Sequence, residues 1–143
     1  MLKLTHAILA IVLLAAAPVA VRAEGQGVVV TVNDQPITTF DIRQRQKLLT
    51  VFGSPSDRQK ALQSLIDDVV KLTEAKKLNI QPTDKMVDDQ IAKMGKGNPD
   101  VFLAQFKKQG ISKNAVKRFI SSQIAFQRLY RGYSDYAVLT KRG

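Results

Sequence analysis

The sequence predicts a mainly α-helical domain, with five helices preceded by a short β-hairpin. Three observations carry that prediction. Every residue from Val28 to Val32 is β-branched, which suits a pleated strand better than a helix. From Phe40 onward apolar residues recur at helical spacing in separate segments. Each segment has Ser, Thr, Asn or Asp at its start, and the first four have Gly, Asn or Pro at their end.

The chain opens on a stretch that is read as export machinery, not fold. Lys3 and the amino terminus supply a positive start, and Ala7 to Ala17 form an uncharged apolar run. Pro18 breaks that run, and "VRA" places compact residues ahead of Glu24. This is the layout of a cleaved secretory signal peptide, residues 1–23. The apolar run falls short of the ~20 residues a membrane-spanning helix needs, so no stable membrane span is expected. The folded domain is expected over residues 24–133, with a tail over 134–143.

The elements follow in order. After the Val28–Val32 strand, Asn33-Asp34-Gln35-Pro36 is turn chemistry, and Ile37 and Thr38 can pair back briefly. Thr38 or Thr39 can cap the first helix, with Asp41 beside the positive end of its dipole. That helix runs through Arg43 to about Phe52 and stops at "GSPS". Ser54 or Ser56 is the expected cap of the second, whose stripe is Leu62, Leu65, Ile66, Val69, Val70 and Thr73. Asn79 and Pro82 end it. Thr83 caps a third helix with Val87, Ile91 and Met94 on its apolar side. Asn98-Pro99 opens a fourth with Phe102, Leu103 and Phe106, and Gly110 closes it. Ser112 caps a fifth running to about Tyr133. "MGKGNPD" contains Gly-Lys-Gly but lacks the preceding strand and glycine spacing of a phosphate loop. A helix end followed by a helix start explains each of its residues.

Composition excludes much chemistry. The single histidine, His6, lies in the leader, and the chain has no Cys and no Trp. After the leader there is no Ser–His or Cys–His nucleophile, no usual zinc site, and no imidazole base. Asp67-Asp68 and Asp88-Asp89 are sequence neighbours on helices, and such neighbours point about 100° apart. They do not make a carboxylate dyad. No catalytic residue, metal ligand or cofactor is therefore expected. Of the 22 basic residues Lys3 and Arg22 fall in the leader, which leaves 20 against 12 acidic ones and a net charge of +8. The basic residues are spread along the chain as solvated helix faces usually are, and nucleic acid is not an expected partner.

The fifth helix holds four of the nine aromatic residues, more than any other element. Val116, Phe119, Ile120, Ile124, Phe126, Tyr130 and Tyr133 make a stripe wider than one helix normally buries, with Gln123 and Gln127 near its middle. An ordinary core face is one reading. The other is a groove for apolar peptide segments, lined by Phe119, Gln123, Phe126, Tyr130 and Tyr133, with glutamine amides meeting a bound backbone. Periodicity leaves both open.

Taken in order, "VNDQPITTFDI", "LQSLIDDVVKLTEAKKLNI", "PTDKMVDDQIAKM", "FLAQFKKQGIS" and "VKRFISSQIAFQRL" resemble the N-terminal domain of the SurA family. Those are periplasmic chaperones and peptidyl-prolyl isomerases of Gram-negative bacteria. The opening motif matches at Val32, Asn33, Ile37, Thr38, Asp41 and Ile42, the second helix at Leu65, Ile66 and Asp67, and the last turn at Gly110, Ile111 and Ser112. The resemblance spans about Val28 to Tyr130. It implies a periplasmic module that binds unfolded or nascent outer-membrane polypeptides. A homodimer is the other expected way of covering the aromatic stripe. In that family the domain is normally followed by parvulin-type isomerase domains, whose sites usually contain histidine, and by a C-terminal helix that packs back onto it. With no histidine after the leader, proline isomerisation is not expected of this chain. A truncated isomerase relative and a cationic envelope-surface binder are the competing function classes.

Overall fold

The computed structural model describes residues 27–140, so the signal-peptide reading of residues 1–23 lies outside the described residues. Two antiparallel strands, β1 (Val28–Val32) and β2 (Gln35–Thr38), precede five helices. These are α1 (Thr39–Val51), α2 (Arg58–Lys77), α3 (Asp84–Met94), α4 (Pro99–Lys108) and α5 (Lys113–Thr140). The mainly helical fold with a leading hairpin is the one the sequence predicts.

The hairpin turn is tighter than the four residues assigned to it. Asn33 and Asp34 carry it alone, with φ of 47° and 62°, the left-handed pair that matches strand twist. Gln35 and Pro36 already belong to β2, where Pro36 faces Thr31. A two-stranded ribbon is marginal by itself. Here Ile37 is fully buried, and Val30 and Val32 pack with it against Ile42, Ala61, Leu65 and Val69 of α1 and α2. The chain then enters α1 through a reciprocal cap. Asp41 N–H donates to Thr38 Oγ1 at 3.1 Å, and Thr38 N–H donates to Asp41 Oδ2 at 2.8 Å.

α5 is the spine. It packs against α1, α2, α3 and α4. A second apolar cluster joins Leu48, Val87, Ile91, Phe102, Phe106, Ile111, Val116 and Ile120, drawn from the end of α1, α3, α4, α5 and the turn before α5. A third, of Ala75, Ala125 and Leu129, sits where α2 crosses the middle of α5.

Several sequence expectations shift by a residue or two. Asp57, not Ser54 or Ser56, caps α2, accepting from Lys60 N–H at 3.0 Å. Of the expected α2 stripe, Leu65 and Val69 are buried, while Leu62, Ile66 and Thr73 are only partly so. The buried line runs through Ala61, Leu65, Asp68, Val69 and Ala75, while Val70 is exposed. Small residues at the crossing let α5 approach, which a ranking by hydrophobicity undervalues. Met94 is exposed as well, because the chain leaves the core at Gly95. A Cβ there would lie 2.1 Å from the carbonyl oxygen of Asn98, so only glycine allows the turn into α4. Finally, α5 continues past Tyr133 to Thr140, into the stretch expected as tail.

Candidate functional site

The five candidate residues lie on α5 at spacings of four and three, so they share one side of the helix. The structure divides them. Phe119 is half-buried: Phe52 stacks on its ring at 5.4 Å, Arg45 lies 5.1 Å from its centroid, and it packs against the second apolar cluster. Phe52 reaches it from the C-terminal end of α1, and among the described residues no ring stacks on Phe126 in the same way. Gln123 is half-buried one turn on. Phe126 is then 50% exposed, Tyr130 67% and Tyr133 63%. Three large rings in succession thus face water along the C-terminal half of α5, with Lys71 Nζ 5.3 Å from the Phe126 centroid. Isolated exposed apolar residues are ordinary, but a row of rings on one face is the kind of surface that marks an interaction site.

Beside this row lies an apolar hollow of about 400 Å³, lined by Leu78, Ile80, Leu129, Gly132 and Tyr133. Its floor follows from the end of α2. Asn79 takes a left-handed φ of 56°, and Ile80 N–H bonds back to Ala75 O at 2.8 Å, turning Ile80 toward Leu129 of α5. Gly132 leaves the wall open, since a Cβ there would meet nothing within 4 Å. Gly132 in mid-helix costs about 1 kcal/mol relative to alanine, the sequence signal that could have drawn attention to this point. Leu78, Ile80 and Leu129 carried no such signal, because their meeting depends on how α2 ends.

The buried face of α5 contributes a different feature that sequence reasoning missed. Arg45 and Asp68 are both sealed from water and form an ion pair between α1 and α2. Arg45 Nη1 also donates to Ser64 Oγ at 2.7 Å, and the Ser122 hydroxyl donates to Asp68 Oδ1 at 2.6 Å. The network ties α1, α2 and α5 at the seam between the two larger apolar clusters.

The acidic pairs diverge as helical geometry requires. Asp67 accepts from Gln63 while Asp68 holds Arg45, and Asp88 pairs with Lys117 at 2.6 Å while Asp89 pairs with Lys85 at 2.7 Å. The hydrogen bond to Asp89, and then its charge, holds the exposed Lys85 ammonium above its usual pKa. Among the described residues no three His, Cys, Asp or Glu side chains come together as a metal site. Nor, among them, is any helix long and apolar enough to cross a membrane.

These features define the class first: a small helical domain with a leading hairpin, a packed inner face on its last helix, and a row of exposed rings beyond it. The family follows. The sequence model of the SurA-like N-terminal domain matches residues 1–130, and the chain belongs to that family. Membership makes it chaperone-related and fits a domain that binds polypeptides. Comparison with curated proteins and with solved structures gives no match.

Proposed function

We propose that this chain is a periplasmic chaperone module that holds apolar, aromatic-rich segments of unfolded outer-membrane polypeptides against the C-terminal half of α5. The observation that carries the reading is the row Phe126, Tyr130 and Tyr133, exposed beside the apolar hollow in a member of a chaperone-related family. Rings on a helix accept many apolar partners without reading a fixed sequence, which suits an unfolded client. Lys71, whose ammonium already sits near Phe126, adds a positive charge beside the rings that would favour acidic clients.

The test is binding of an unfolded outer-membrane polypeptide, or an aromatic-rich peptide from one, by the purified protein. Phe126→Ala and Tyr130→Ala should each weaken binding at least about fivefold, as truncating an interface anchor does. Binding should also survive high ionic strength, which screens purely electrostatic attraction. Unchanged affinity in both variants would refute the groove. Loss of all binding in salt, with no preference for aromatic peptides, would favour the cationic surface binder.

A further inference from the structure

A groove of about 580 Å³ runs between α4 and the start of α5, larger than the hollow beside the rings. Its floor is apolar: Leu103 and Ala104 of α4, then Phe106, Ile111 and Val116, which also belong to the second apolar cluster. Its charges stand at separate ends. Asp100 lies in the first turn of α4 and Lys107 in the last, and seven residues of helix put roughly 10 Å between them. The short connection after α4 brings Lys113, the first residue of α5, to the Lys107 end. Among the described residues none of these three charges has an ion-pair partner. The groove therefore offers a carboxylate at one end, two ammonium groups at the other and an apolar floor between them.

We propose that this groove receives the C-terminal end of α5 from a second copy of the chain. On α4 the groove carries Asp100, Leu103, Ala104 and Lys107, an acid, two apolar residues and a base. Asp135, Val138, Leu139 and Arg142 repeat that order at the same spacing in the sequence. Positions spaced in this way share one side of a helix. Laid antiparallel, two such faces oppose acid to base at both ends, and the charges fix the register. Asp135 then meets Lys107 and Lys113, Arg142 meets Asp100, and Val138 and Leu139 lie on Leu103 and Ala104. The segment cannot reach the groove of its own chain, because α5 is one helix and about 33 Å of it separates Lys113 from Asp135. A two-fold axis makes the contact twice, each α5 end in the partner's groove. The groove is also remote from the rings, with about 20 Å of helix between Lys113 and Phe126.

Sedimentation equilibrium of the purified protein tests this by charge exchange. The parent should self-associate, and Asp135→Lys should weaken that association about tenfold or more by setting like charges opposite each other. Lys107→Glu combined with Lys113→Glu should weaken it likewise. All three changes together reverse both sides of the contact and should restore association to within about threefold of the parent. Lys107 and Lys113 are exposed, so the helical signal and melting transition should stay in place. A measurement without any variant runs beside these. Excess free peptide of residues 134–143 should shift the parent toward monomer, and the same peptide with Asp135→Lys should not. The groove variants should leave aromatic-peptide binding at Phe126 intact, which tells failure of this contact from failure of the client groove. A protein monomeric at every concentration would overturn the proposal and leave the groove to a client segment of the same charge pattern. Self-association indifferent to Asp135→Lys, unrestored in the triple variant or unmoved by the free peptide would overturn it as well.

Discussion

Arg45 and Asp68 show what a single residue can decide in this domain. A buried ion pair gains little over a well-packed apolar pair, because both ions lose their water. Breaking it is another matter. Asp68→Ala would leave the Arg45 guanidinium buried with Ser64 and the Phe119 ring as its remaining neighbours, and would leave the Ser122 hydroxyl only the Phe119 carbonyl oxygen at 2.9 Å. A loss of about 3–5 kcal/mol in denaturant unfolding is expected. The double variant Arg45→Met with Asp68→Leu should recover most of that loss, since it removes both charges together. A single variant as stable as the parent would mean that water reaches the pair. The exposed rings behave in the opposite way. Phe126→Ala and Tyr130→Ala should leave the melting transition nearly in place, whereas a core Phe→Ala costs about 3–5 kcal/mol. That contrast separates a binding face from a core face at these positions.

At the scale of elements, four of the five helices end by the same device. The residue after the cap turns left-handed, and the following N–H bonds back five residues. Gly53, Asn79, Lys96 and Gly110 hold those positions, at φ of 66°, 56°, 53° and 67°. Glycine adopts this conformation without penalty and asparagine with little, but a lysine pays for its Cβ. Lys96→Gly should therefore stabilise the protein by about 1 kcal/mol, read as a shift in denaturant midpoint at constant slope. No gain would mean that the added freedom of glycine in the unfolded chain cancels the relief. Gly110→Ala should do the reverse, being strained at its φ and set 2.9 Å from Lys47 Nζ.

At the scale of the whole molecule, α5 serves two purposes along one length. Its N-terminal half, with Val116 and Ile120, closes the core against α1, α3 and α4. Beyond Gln123 one side stays packed through Ala125 and Leu129 while the other presents rings to solvent. A client held there would lie beside the end of α2, where Lys76 and Lys77 stand in the last turn. The proposed site of action requires export. Amino-terminal sequencing of protein from the envelope fraction should begin at Glu24, after the small residue that follows the proline-broken apolar run. Protein that still begins at Met1 and stays in the inner membrane would contradict it.

The sequence by itself determined the order and kind of the elements. Those depend on neighbours in the chain: β-branched residues in β1, the Thr38–Asp41 cap, the Asn98-Pro99 start of α4, and left-handed positions at helix ends. It also determined the family, because motif order and spacing are sequence properties. Tertiary structure alone decided which helix lines meet. Asp68 and Ala75 lie on the buried line of α2 because α5 brings Ser122 and Ala125 to that side, and polarity along one helix carries no trace of a partner 54 residues away. The same holds for the aromatic stripe. Phe119 and Phe126 occupy equivalent places two turns apart, yet one is covered and the other open, and the difference is Phe52 arriving from α1. Burial is a property of what packs against a face, so periodicity can mark the face but not its cover.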